Sequence, residues 1–355
     1  MNTVDFCIAG AGIIGLSLAL ELHRRGVRVT VLDQSEPLGE ASTAAAGMLA
    51  AGDPDNPQEL RKLSELSRSL YPEFLDRIFE LSGTVVPLHT STTLQEVSLH
   101  EMERARNLTV LSPETISHLL PQLRVGSRRF ALLDENSLDP RELAKALLAA
   151  VRAAKIELRT GTPIRFVRTS REETEVHTTS EVLCPKQIVD CTGAWGLTQL
   201  PEGHVRTVPK KGQMLSVMLP RSLPLHVVVR TSEIYIVPRT TGPAAGHAVI
   251  GATVEDAGFD KTVYPGEIAR LRARASELLP ELADAVEVET WAGIRPGSSD
   301  GLPLLGKVAE NRFIAAGHYR NGILLAPATA RVMAQLLLGE TPQTDLSAFS
   351  PLRSV

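Results

Sequence analysis

The sequence predicts an α/β protein: a discontinuous, Rossmann-like nucleotide-binding domain with an antiparallel, β-rich substrate domain inserted into it. Three observations carry this reading. The first 33 residues run strand, glycine turn, helix, strand. The same alternation returns in mid-chain and again near the carboxyl end. Between those returns, Gln213 to Thr253 gives four short runs separated by turn residues, the pattern of an antiparallel sheet. Residues 1–84, 135–204 and 290–355 are assigned on this basis to the nucleotide domain, and 85–134 with 205–289 to the inserted one.

Val4 to Ala9 is short and apolar, Ile13 to Arg25 is helical and ends at Gly26, and Val27 to Leu32 reads as a second buried strand. Between the first strand and the helix stands Gly10-Ala11-Gly12-Ile13-Ile14-Gly15. Gly10 permits a tight turn, Gly12 lets the backbone approach a pyrophosphate, and Gly15 packs helix on strand. The helix beginning at Ile13-Ile14 offers free N–H groups and a positive dipole end to phosphate. Asp33, about 20 residues on, stands where a carboxylate accepts ribose hydroxyls. The alternative is a tight turn with no ligand, but strand, helix and acid together favour a dinucleotide.

The next segment, Ala41-Ser42-Thr43-Ala44-Ala45-Ala46-Gly47-Met48, is small and hydroxyl-bearing. Small side chains let backbone lie against a flat ring, and Ser42 and Thr43 have hydroxyls for phosphate or ribitol. An alanine-packed helix is the competing reading. A helix-rich stretch follows from Gln58 to about Leu81, then a mixed stretch from Thr84 to Phe130 with a helical piece at His100–Asn107. Asp139 caps a helix that starts at Pro140. Strands are expected at Ile156–Arg159, Ile164–Val167 and Gln187–Cys191, then at Gln213–Val217, His226–Val229, Glu233–Pro238 and His247–Ala252. A helix at Gly266–Leu279, a strand at Arg312–Ala316 and a final helix at Ile323–Leu338, with Gly339 just beyond it, complete the series.

Composition excludes several functions. A formal net charge of −4, with no Lys/Arg run longer than Lys210-Lys211, disfavours a sequence-independent grip on nucleic acid or a polybasic membrane anchor. No stretch reaches the ~20 apolar residues of a membrane span. Phe6 to Leu22 resembles the apolar part of a signal peptide, but Asp5 precedes it and glycines interrupt it. Cys7, Cys184 and Cys191 are too few and badly spaced for a disulfide framework or a metal site, so a reducing cytoplasm is expected.

The most informative residue is Arg295, in Trp291-Ala292-Gly293-Ile294-Arg295-Pro296-Gly297. As a strand, Trp291, Gly293 and Arg295 share a face and Pro296 stops the ladder. A guanidinium is always charged and needs an anion when desolvated. Glu287, Glu289 and Asp300 are the nearest acids and would make a structural ion pair. Alternatively, Gly293 leaves space for a bidentate grip on a small carboxylate. The residues alone leave both open. Tyr235, alternating with Val237 on a strand, has a packed ring whose hydroxyl needs a partner, which backbone alone can supply.

Over nearly its whole length the chain resembles the D-amino acid oxidase superfamily, and within it the glycine oxidase branch that serves thiamine biosynthesis. The motifs are Ala44-Ala45-Ala46-Gly47-Met48, Tyr235-Ile236-Val237-Pro238-Arg239, Gly251-Ala252-Thr253, the Trp291–Gly297 segment, and Gly317-His318-Tyr319-Arg320-Asn321-Gly322-Ile323-Leu324-Leu325-Ala326-Pro327-Ala328-Thr329. The resemblance implies non-covalent FAD. It adds Gln34, Ala41, Val167, Thr192 and Gly193 to the cofactor contacts, together with the His318–Leu324 run. It assigns Arg295 to the substrate carboxylate, Tyr235 to the same group, and Arg320 to a loop touching flavin and substrate. A structural salt bridge competes for Arg320, and a packed histidine outweighs a general base at His318.

The implied reaction needs no side-chain acid or base: a small amino acid, glycine first, gives hydride from Cα to flavin, and oxygen completes the cycle. Sarcosine or small D-amino acids are the other substrates, thiazole synthesis is the implied destination, and homo-oligomers are common in the family. Two positions depart from its pattern, Val254 where methionine is found and Leu304 where an aromatic is common, and both bear on pocket volume. Rival readings are a quinone-linked D-amino acid dehydrogenase, the FAD domain of a bifunctional tRNA-modifying enzyme, and a FAD-holding subunit of a hetero-oligomeric amine dehydrogenase.

Overall fold

Strands that are apolar at every position must be covered on both faces. Phe6–Ala9 and Val29–Leu32 are of this kind and are buried throughout in the computed structural model, which describes residues 4–104, 109–198, 200, 202 and 204–354. They lie in a six-stranded sheet ordered Leu304–Ala309, Arg312–Ala316, Gln187–Asp190, Phe6–Ala9, Val29–Leu32, Glu157–Arg159. Its neighbours are parallel except in the outer hairpin, Leu304–Ala309 with Arg312–Ala316. Helices Ile13–Arg24, Arg61–Ser82, Pro140–Ala153 and Gly322–Leu337 join one core on this sheet, with Leu16, Ile78, Leu147 and Leu325 at its centre. A three-stranded sheet, Ile164–Thr169, Thr174–Thr178 and Val182–Leu183, covers the strands through Val176 and Leu183, packed on Cys7, Ala9 and Leu32. Asp139 caps its helix as expected, accepting the Arg141 N–H at 2.8 Å.

The second sheet has seven strands in the order Glu287–Ser298, Thr207–Met218, His247–Gly251, Tyr235–Pro238, Val228–Arg230, Leu88–Glu96, Phe130–Leu138. All pairs are antiparallel except Val228–Arg230 with Leu88–Glu96. Helix Pro265–Leu278 covers one face through Ile268 and Leu271, against Leu215, Ile236 and Ile250. The other face looks toward the parallel sheet's domain.

Three expectations are corrected. The divisions at 134/135 and 289/290 fall inside Phe130–Leu138 and Glu287–Ser298, so both strands belong wholly to the antiparallel sheet. The mixed stretch hides the strand Leu88–Glu96, whose polar Leu-His-Thr-Ser-Thr-Thr-Leu-Gln-Glu gives no apolar alternation although Thr90, Thr93 and Gln95 are buried. Its helix spans Leu99–Arg104, and residues 105–107 of the expected piece lie outside the described residues. Pro296 does not stop the ladder: the strand pairs on through Ser298, with Pro296 opposite Pro209. It is an edge strand, where a proline's missing N–H costs no internal pairing.

Candidate active site

One cavity of about 490 Å³ runs between the two sheets. At its nucleotide end the strand Phe6–Ala9 turns into the helix through Gly10, whose φ of +102° suits glycine and whose missing Cβ would strike the Cys191 carbonyl. Gly12 faces the Ser42 hydroxyl, 3.5 Å from where its Cβ would stand, and a Cβ on Gly15 would run into the Gly10 carbonyl. Asp33 ends the second strand and accepts the Ala11 N–H at 2.7 Å and the Ser35 N–H at 2.9 Å, so its carboxylate is fixed at the cavity wall.

At the other end, Arg295 stands without an acid. Its Nη1 donates to the Thr253 carbonyl at 3.1 Å and the Lys211 carbonyl at 3.3 Å. The three acids offered by the sequence are taken by other arginines. Glu289 holds Arg141 at 2.7 and 2.9 Å, Glu287 holds Arg272 at 3.2 Å, and Asp300 holds Arg353 at 2.6 and 2.9 Å. Among the described residues no carboxylate comes within ion-pair distance of Arg295, and the guanidinium lines the cavity. Space for it comes from Gly212 on the neighbouring strand, where a Cβ would collide with the guanidinium. Gly293, the glycine expected to do this, instead admits Ala44, whose Cβ would be 2.5 Å from its own.

Register assembles the wall beside Arg295. Trp291 pairs with Met214, Met214 with Gly251, Gly251 with Tyr235, Tyr235 with Arg230, and Arg230 with Gln95. Residues in one such row share a face, and Met214, Tyr235, Arg230 and Gln95 all line the cavity. Burial pushes the Tyr235 phenol up, opposed by the adjacent Arg295, so Tyr235 stays protonated and donates. Gly251 leaves the ring its room: a Cβ there would be 2.6 Å from the Tyr235 hydroxyl and 2.7 Å from Met214 Cγ.

Arg320, which also lines the cavity, is held by acids. Its Nη2 lies 3.5 Å from Asp53 and its Nη1 3.7 Å from Asp55. Asp53 also lies 3.8 Å from the buried Arg230, which meets Glu135 at 3.1 Å and hydrogen-bonds Gln95. Asn321 donates to Asn56 at 2.9 Å, so the loops 50–57 and 317–321 are joined twice. Nearby, His318 is buried and shares a 3.1 Å hydrogen bond with Thr329; burial lowers it to about 3, so it is neutral and cannot serve as an ammonium-like cation.

The FAD dependent oxidoreductase family model matches residues 5–336. The chain belongs to that family. A glycine oxidase of Pseudomonas aeruginosa is 34% identical over 97% of both chains. The solved glycine oxidase of Geobacillus kaustophilus superposes over the whole of both chains with a TM-score of 0.91 at 29% identity. The bifunctional protein ThiO/ThiG of Trichormus variabilis is 35% identical over 98% of this chain, which spans about half (54%) of that longer protein.

The cavity of this FAD-dependent oxidoreductase fits a dinucleotide with a flat ring. Its walls at Gly10, Gly12, Gly47 and Gly193 are bare backbone, and Gly47 and Gly193 take positive φ values of +86° and +66°. Asp33, Gln34, Ile13, Ile14, Ala41, Ser42, Ala46, Met48 and Thr192 line it, as do the backbone and side chains from His318 to Ile323, Tyr319, Arg320, Asn321 and Gly322 among them. Four of the residues expected to contact the cofactor are not among those lining the cavity. Gly15 serves the helix–strand packing behind the turn, and Thr43 turns away to bond the Leu38 carbonyl at 2.9 Å. Val167, in the small sheet, packs against the cluster it shares with the parallel sheet, and Leu324 is core. Ser42, expected to meet phosphate or ribitol, accepts the Ile13 N–H at 2.9 Å in this structure and so caps the helix start. Of the two departures, Val254 lines the cavity and is well exposed, whereas Leu304 is core beside Val205 and Ile314, away from the cavity. Sequence reasoning missed Arg230, Gln95, Asp53 and Met214, whose signal is a register that exists only once the sheet is built.

Proposed function

We propose that this chain oxidises glycine, and with it sarcosine or small D-amino acids, to the corresponding imine, which hydrolyses to the oxo acid and ammonia, or methylamine in the case of sarcosine. The observation that carries the reading is Arg295: a full positive charge, held by two carbonyls, unpaired and facing the cavity beside the Tyr235 hydroxyl. Such a pair takes a carboxylate through two charge-assisted hydrogen bonds, one from a cationic donor and one from a neutral hydroxyl. FAD, held by the Gly10–Gly12 turn, Asp33 and the Ala41–Met48 segment, would supply the hydride acceptor for Cα and the two electrons that reduce oxygen to hydrogen peroxide. The chain's own residues orient and exclude water. Tyr235 and Arg295 fix the carboxylate end, Met48 and Met214 give the wall apolar cover, and among the described residues the histidine that lines the cavity, His318, is turned to Thr329 rather than offered as a base. The substrate amine therefore arrives neutral from solution.

The relatives fused as ThiO/ThiG support thiazole synthesis as the destination of the imine. Glycine, sarcosine and small D-amino acids should be assayed with the purified yellow protein, oxygen as sole acceptor and peroxide as readout. Peroxide with glycine is expected. Flavin reduction without peroxide would favour a dehydrogenase, and no reduction by any small amino acid would sink the reading.

A further inference from the structure

Two side chains of the antiparallel sheet reach across to the main chain of the Ala44–Met48 segment. The Trp291 indole N–H donates to the Ala44 carbonyl at 3.0 Å, and Arg239 Nη2 donates to the Ala46 carbonyl at 2.9 Å. The Gly47 carbonyl accepts the Leu138 N–H at 3.0 Å. In a trans peptide the N–H points opposite to the carbonyl. Fixing these carbonyls therefore turns the N–H groups of Ala45, Gly47 and Met48 to the other side, which is the cavity lined by Ala44 to Met48. Among the described residues no acceptor lies on the N–H of Gly47 or Met48.

Arg239 is a costly way to hold one carbonyl. It is 4% exposed, its nearest carboxylate is Asp139 at 3.7 Å, and its Nη1 is buried without a hydrogen bond. Burial holds its pKa below the ordinary arginine value. An apolar side chain of similar volume would fill the site without desolvating a cation. Trp291 is itself steadied by Arg141, whose guanidinium lies 4.9 Å over its ring.

We propose that Arg239 and Trp291 are positioning residues for the flavin ring: by holding the Ala44 and Ala46 carbonyls they aim the Ala45, Gly47 and Met48 N–H groups at its polar atoms. This rests on FAD binding and makes no use of the substrate assignment. The test is titration of FAD into the apoprotein of wild type, Arg239→Met, Arg239→Lys and Trp291→Phe, following flavin fluorescence and the visible absorption band. Arg239→Met should weaken FAD by about 10- to 100-fold, the range for a hydrogen bond to a charged donor, and shift the bound flavin's band. Arg239→Lys keeps charge and a donor, so it should recover affinity to within about fivefold. Trp291→Phe keeps the ring and loses one neutral donor, so about 3- to 10-fold is expected. A folded Arg239→Met that binds FAD within twofold of wild type, with an unshifted band, overturns the proposal. Should Arg239→Met fail to fold, the same unchanged affinity and band in Trp291→Phe overturns it.

Discussion

Arg295 and Arg320 line one cavity, and they differ in what holds them. Arg295 is held by neutral carbonyls, those of Thr253 and Lys211. Carbonyls orient a guanidinium without cancelling its charge, so the cation stays available to an anion that arrives. Arg320 is held by the carboxylates of Asp53 and Asp55, and Asp53 is shared with Arg230. Its charge is largely matched before any ligand enters. Two arginines with the same expected role therefore have different electrostatic reserves: one keeps its charge free for an anion, which makes it the proposed anchor, and the other fastens two loops together.

The most severe way to break this contrast is Arg295→Ala. With a desolvated substrate carboxylate left unmatched, a loss of about 2–5 kcal/mol is expected, which is roughly 30- to 5,000-fold in kcat/KM for glycine. A KM within twofold of wild type would refute carboxylate binding. Gly212→Ala attacks the same anchor while leaving its charge in place, since the new Cβ would collide with the guanidinium. A displaced anchor should cost about 10- to 100-fold in kcat/KM, with FAD affinity unchanged. Unaltered glycine kinetics in this variant would show that the guanidinium's observed position is irrelevant to binding.

The contrast also explains what was legible beforehand. The glycine turn, Asp33 and the helix behind them depend on residues within a few dozen positions of each other, so their spacing encodes the geometry. Arg295 was visible because a lone cation in an apolar strand demands an anion. Its availability was not visible, because it rests on Arg141, Arg272 and Arg353 occupying Glu289, Glu287 and Asp300. Those pairings join residues up to 148 positions apart. Gly212 and the Trp291–Gln95 row were hidden for the same reason: they belong to strand register. Arg320 was assigned to flavin and substrate by the family resemblance, with a structural salt bridge as the competing reading; which acids hold it was hidden, because they lie in a loop, 50–57, whose local sequence says nothing about its neighbour.

A milder break falls on the fastening. Asp53→Asn removes the carboxylate shared by Arg230 and Arg320 and leaves both guanidinia less matched. Arg320 is more than a third exposed, so solvent screening limits the effect. Glycine KM should move by less than about threefold, whereas a dicarboxylic amino acid should bind about three- to tenfold better through the freed charge. Measuring KM for both in the variant tests this; a larger loss for glycine than for the diacid would reverse the roles assigned to the two arginines.

The smallest effect on activity is expected from pH, and it separates the walls by stability. His318 lies two residues before Arg320 and secures that loop through Thr329. Burial lowers it from 6.5 to about 3 in the fold, whereas an unfolded histidine titrates near its ordinary value. Between those two values the unfolded chain binds the extra proton. Stability contributed by neutral His318 is therefore complete above about pH 6.5 and is lost as pH falls toward 3. His89, lowered to about 4 by burial, adds a second loss of the same sign. His318→Gln retains a hydrogen-bonding partner for Thr329 without a titrating ring. Its unfolding free energy should fall less than that of wild type between about pH 7 and pH 4.5, by on the order of 1–3 kcal/mol. Parallel pH slopes in the two proteins would mean that the Arg320 loop is not secured by a neutral imidazole, and the fastening would then rest on Asp53, Asp55 and the Asn321–Asn56 hydrogen bond.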